Sequence, residues 1–176
     1  MKTLLVPLAA ALALALAAPI TEAADAARQA EVAKRGAEVM PFDLKATTHV
    51  FTRTDTGGVQ KVVAKDASDA AQVALVRRHL KEIRAQFLAG DFSGPAHIHG
   101  ADMPGLAALR AARPGQIAIA YRDVPGGAEL AYLTRSPRLV HALHEWFDAQ
   151  LADHGADAMA GDMPMHHHHP ATTGSH

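Results

Sequence analysis

Apolar and polar positions alternate twice along this chain, and each alternation gives way to a helical stripe. Residues 48–54 (Thr-His-Val-Phe-Thr-Arg-Thr) alternate with a period of two, and residues 59–64 (Val-Gln-Lys-Val-Val-Ala) resume after Asp55-Thr56-Gly57-Gly58. The pattern predicts a β-hairpin whose glycines supply the positive φ of the turn. Asp66 or Ser68 then caps a helix running to about Leu88. Its stripe is Val73, Val76, Leu80, Ile83 and Phe87, and Gly90 stops it.

The second alternation covers residues 116–121, turns at Pro125-Gly126-Gly127 and returns through residues 129–133. Ser136-Pro137 opens the next helix, serine as cap and proline in the first turn, and Gly155 ends it after His154. Its stripe is Val140, Leu143, Phe147 and Leu151, which His154 extends. Both halves read strand, Gly-Gly turn, strand, helix, glycine stop, an internal repeat of element order. The expected fold is α+β: two strand-strand-helix units forming one antiparallel sheet with the helices on one face.

The flanks behave differently. Residues 1–24 read as a signal peptide, with Lys2 before an apolar run over residues 4–18 and cleavage expected after Ala23 or Ala24. The run is too short and too Ala-rich for a membrane span, so the expected location is periplasmic or secreted. Residues 25–41 have a thin apolar face interrupted by Gly36 and are expected to be a flexible leader ending at Met40-Pro41. A single domain then covers residues 42–156, and residues 157–176 are expected to be a disordered Met/His-rich tail.

Composition changes this picture in three ways. A net charge of −1, with Lys and Arg scattered, gives no footprint for nucleic acid. There is no cysteine, so neither disulfides nor thiolate ligands exist. Histidine is abundant: of twelve residues, five (166–169 and 176) lie in the tail and seven (49, 79, 97, 99, 141, 144, 154) in the body.

Between the halves, residues 90–106 are rich in turn formers and carry His97-Ile98-His99. In an extended backbone alternate side chains point the same way, which would aim both imidazoles at one ion. A short helix opening at Pro104 follows. His49 lies on the first strand, His79 and His144 at matching edges of the two helices, and His154 within the apolar stripe. Met103 adds a soft thioether. The tail offers Met163-Pro164-Met165 followed by His166, His167, His168 and His169, ligands suited to copper and also to zinc or nickel. The expected metal ligands are therefore His97, His99, His49, His79, His144, Met103 and His154 in the body and His166 to His169 in the tail. His141, His144, Glu145 and Asp148 read as a solvated polar face.

Two local matches invite an enzyme reading. His144-Glu145-Trp146-Phe147-Asp148 with His154 resembles the zinc-protease pattern His-Glu-x-x-His-x-x-Gly-x-x-His. Asp148 replaces the second histidine, however, and Leu151 replaces the glycine. Ten residues of continuous helix also span about 15 Å, too far for one ion. Phe51-Thr52-Arg53-Thr54 resembles the Ser-Thr-Arg-Thr phosphate loop of aspartate carbamoyltransferases. That family's His-Pro-x-Gln motif is absent, and a hairpin strand presents no helix N-terminus to phosphate.

Across most of the mature length, Phe42-Asp43-Leu44, Thr47-Thr48-His49, His99-Gly100, Met103-Pro104-Gly105-Leu106 and residues 144–155 resemble a group of short exported bacterial proteins sometimes labelled aspartate carbamoyltransferase. The resemblance implies export and carries no established activity. The expected function is a periplasmic metal-binding protein, copper ahead of zinc or nickel, that buffers the ion or delivers it to a metal-handling partner. A haem-binding or small-ligand module and a His-dependent hydrolase or lyase are the alternatives.

Overall fold

The structure, a computed structural model, describes residues 17–162. Residues 1–16 of the expected signal peptide, and the tail with His166, His167, His168 and His169, lie outside the described residues. No helix among the described residues is long and apolar enough to cross a membrane.

The first alternation folds as β1 (Thr47–Thr54) and β2 (Gly57–Ala64), antiparallel, with Thr54 opposite Gly57. Asp55 and Thr56 alone therefore make the turn, and the two glycines belong to the strand. What they supply is room. A Cβ on Gly57, at φ 146°, would strike the Tyr132 carbonyl, and one on Gly58 would strike the Phe147 ring.

The second hairpin, β3 (Ala118–Val124) and β4 (Gly127–Leu133), turns at Pro125-Gly126. Antiparallel pairing of β2 with β4 joins the hairpins in the order β3-β4-β2-β1. A short strand the alternation did not predict, β5 (Ala158–Ala160), adds parallel to β1 at the sheet edge. The folded domain thus runs past residue 156: the Gly161 N–H still bonds the Phe51 carbonyl at 2.9 Å.

Two long helices cover the sheet. On α2 (Ala70–Leu88) the cap is Asp69, whose carboxylate accepts the Gln72 N–H; Asp66 instead closes its own turn onto Ser68. On α5 (Pro137–His154) Ser136 caps and Pro137 sits in the first turn, as the sequence predicts. Helix α2 packs across β2, β3 and β4, while α5 packs across β1, β2 and β5. Between them lie Phe51, Val62, Leu80, Leu130, Tyr132, Trp146 and Phe147, all buried. Each large apolar side chain buried here stabilises by about 1.5–3 kcal/mol.

Residues 25–39 are an ordered helix and not a flexible leader. They belong to α1 (Ala17–Val39), which packs on α5 and on α3 (Ser93–His99). Its apolar face is mostly alanine, with Val32 1% exposed, and polar anchors complete the seat. Gly36 does not break the helix; it makes room for the Leu44 side chain, which lies 3.0 Å from where a Cβ would stand.

Helix α3 replaces the expected extended segment. Its proline, Pro95, sits in the first turn, where the N–H has no intrahelical partner to lose. Next, Gly105 at φ 75° leads into α4 (Leu106–Arg110), with the Ala142 carbonyl and the Trp146 nitrogen against its Cα. Gly105→Ala is expected to cost about 2 kcal/mol, from a left-handed conformation and a backbone clash together. A lower urea midpoint with an unchanged m-value would show it.

Candidate functional site

Four histidines from four elements line one cavity of about 50 Å³: His49 from β1, His79 from α2, and His99 and His154, the last residues of α3 and α5. His49 alternates with Phe51 on the helix-facing side of β1. Met40 and Phe42 come from the segment after α1, Gln60 from β2, and Trp146 and Gln150 from α5. The remaining lining is apolar apart from Gln86, and it contains no carboxylate, hydroxyl, lysine or arginine.

The rings touch one another. His49 and His154 stack face to face, centroids 5.0 Å apart and planes 3° from parallel, and His154 meets His99 edge-on at 5.1 Å. His79 stands edge-on to Phe42 at 5.5 Å, and Phe42 leans on His49 at 5.9 Å. His154 Nε2–H donates to Gln150 Oε1 at 3.1 Å. The Nδ1 atom of His49, a residue only 3% exposed, has no hydrogen-bond partner.

Burial keeps all four imidazoles neutral at neutral pH. It pushes His49 down to about 3, with the neighbouring His154, His79 and His99 adding to the effect. His154 falls to about 4 by burial and the proximity of His99. His79 and His99 are also lowered by burial. A neutral imidazole keeps one in-plane lone pair, the form that ligates a metal or accepts a proton.

His99 is the oriented member. Its Nδ1–H donates to Asp153 Oδ2 at 2.8 Å, which fixes the tautomer and leaves the Nε2 lone pair free of that bond. Asp153 is held in turn by Arg28 of α1: Nε to Oδ1 at 2.9 Å and Nη2 to Oδ2 at 2.8 Å. The same Nη2 also donates to the His99 carbonyl at 2.6 Å. Burial would raise the Asp153 carboxyl, but the bonds from Arg28 and His99 overcome it and hold the group below the usual carboxylate range.

The other expected ligands lie elsewhere. His97 and His99 are two residues apart in a helix, hence about 200° apart around its axis, so they diverge. His97 is exposed and pairs with Glu38 of α1 at 2.8 Å. His144 Nε2–H donates to the Thr54 and Gly57 carbonyls at 3.1 and 2.9 Å, fastening the β1–β2 turn to α5. Met103 is a buried core residue outside the pocket lining. His141 pairs with Glu145 at 3.3 Å and Asp148 with Arg53, so that face is the polar surface the sequence predicts.

Among the described residues no three His, Asp or Glu side chains converge as a metal site stands. The reason is visible in the stack: lone pairs lie in the ring planes, and two parallel planes do not aim them at a shared point. Arg28, Asp153 and Gln150 had no signal of their own in the sequence, although Asp153 directly precedes His154. No family model matches the chain, nor does any curated protein or solved structure.

Proposed function

We propose that this is an exported metal-binding protein that buffers or delivers a transition-metal ion, copper before zinc or nickel, through the pocket of His49, His79, His99 and His154. One observation carries the reading: four buried, neutral imidazoles from four separate elements surround a single small cavity, and a carboxylate orients one of them. With no carboxylate or thiolate in the lining, the imidazole donor set suits copper, zinc or nickel, and the thioethers of Met163 and Met165 in the tail favour copper among them. Asp153, behind His99, supplies compensating negative charge. Binding requires the His49 and His154 rings to rotate out of their stack, and the partnerless Nδ1 of His49 is the donor freest to do so. The Met/His segment from Met163 to His169 would capture ions for the pocket, with a periplasmic metal-handling protein as the natural recipient.

The size of the cavity, about 50 Å³, argues against haem, since pockets for molecules of that scale run to hundreds of cubic ångströms. A hydrolase reading finds no hydroxyl or carboxylate in the lining for His99 to activate.

The test is a competition titration of a chain ending at Asp162 with Cu(I) and Zn(II). One equivalent should bind, and His99→Ala and His49→Ala should each weaken it at least tenfold. Absence of stoichiometric binding by this shortened chain sinks the pocket as a metal site. Affinity should fall less than tenfold from pH 7.5 to about 6, because burial lowers all four imidazoles below their ordinary value, His49 to about 3 and His154 to about 4. A tenfold loss across that interval would mean ligands of ordinary imidazole basicity.

A further inference from the structure

A second cavity, of about 260 Å³, shares only Phe87 and Trp146 with the histidine pocket. It lies between the end of α2, helix α4, the loop over residues 111–117 and strands β3 and β4. Its interior is aromatic and aliphatic, with Phe87, Phe92, Leu109, Leu143 and Trp146. Two exposed arginines, Arg110 at the end of α4 and Arg113 in the loop, belong to the same lining, which holds no carboxylate.

Two features of this cavity are unbalanced. Neither arginine forms an ion pair among the described residues, a property shared with Arg84, Arg135 and Arg138; what sets these two apart is that both border this cavity. And Trp146, 1% exposed, has an indole Nε1–H with no acceptor. A buried donor left unsatisfied costs about 1–3 kcal/mol, and the indole that carries it borders both this cavity and the histidine pocket. Apolar walls with two unneutralised guanidinium groups are the complement of a molecule apolar at one end and anionic at the other.

We infer that this cavity binds a small organic carboxylate, its apolar ring or chain against Phe87, Phe92 and Trp146 and its carboxylate on Arg110 and Arg113. The volume is just below that of drug-sized pockets and fits a single-ring acid. Guanidinium–carboxylate bonds are charge-assisted and can be bidentate, so charge and not shape alone selects the ligand. The site is independent of the metal reading, since Arg110 and Arg113 do not line the histidine pocket.

Trp146 is the sole tryptophan and lines both cavities, so its emission reports on either, and the arginine variant assigns a response to this one. The full chain is titrated, with excitation at the red edge of tryptophan absorption, with 4-phenylbutyrate and cyclohexanebutyrate and with the amide of each. The acids should shift or quench the emission saturably, and the amides should bind about tenfold or more weakly. The double variant Arg110→Gln/Arg113→Gln should weaken acid binding by about the same factor, and its urea midpoint, unchanged, would show that the fold is intact. Equal binding of acid and amide, undiminished acid binding by the double variant, or no saturable response to either acid at about 5 mM would each overturn the assignment.

Discussion

Between pH 7 and pH 5 the folded chain is expected to lose about 4 kcal/mol of stability from His49 and His154 alone. In the unfolded chain both imidazoles take up protons near their ordinary value of about 6.5. In the fold, burial holds His49 to about 3 and His154 to about 4, so the native state refuses those protons. The stabilisation is complete above about pH 6.5 and drains away as pH falls toward the folded values. Each group costs about 1.4 kcal/mol per pH unit, hence about 2 kcal/mol over the 1.5 units below 6.5. His79 and His99, also lowered, add loss of the same sign. Urea unfolding at pH 7, 6 and 5 measures the slope, and His49→Gln or His154→Gln should each remove a large part of it. A flat stability across that range would mean that the four rings are not buried as described.

Asp153→Ala is expected to cost about 3 kcal/mol at pH 7. The substitution strands the His99 Nδ1–H, whose side chain is 1% exposed, and releases Arg28 from the one carboxylate it pairs with among the described residues. An unsatisfied buried donor costs about 1–3 kcal/mol, and the severed charge adds to it. Arg28→Ala should cost only about 1 kcal/mol, because the guanidinium is 44% exposed and water replaces part of what it loses. Asp153→Asn should fall between the two, since its amide oxygen can still accept from His99. Proteolysis within α1 should speed up in the order Asn, Ala, as the helix loses its anchor to α5. If Asp153→Ala matched wild type in both measurements, the Arg28–Asp153–His99 chain of bonds would contribute nothing.

Both hairpins and both long helices were legible because their periodicities are strong and their stops are glycines. The glycines at 57, 58 and 127 were read as turn residues, although they serve close approach between β2, β4 and α5. That distinction is tertiary: nothing local separates a glycine needed for φ from one needed for space. Helix α1 escaped because alanines, with Arg28 bonded to Asp153 and the Gln29 amide donating to the Ala152 carbonyl at 3.1 Å, replace a conventional apolar stripe. Helix α3 escaped because Gly94-Pro95 read as a loop, and with it went the direction of His97.

Of the expected body ligands, His49, His79, His99 and His154 do meet at one cavity, while His97, His144 and Met103 do not. The excess of histidine drew attention to four residues that share a cavity. Their grouping depended on which face of a seven-residue helix turned inward, and no spacing rule carries that.

The bond from Arg28 to Asp153 spans 125 residues of sequence, and β5 closes onto β1 at the same corner of the sheet. Contacts so distant along the chain carry the largest closure entropy and form late in folding. The histidine pocket is therefore a property of the finished chain: while synthesis is still under way, His49 and His79 are present but His154 and its carboxylate neighbour are not.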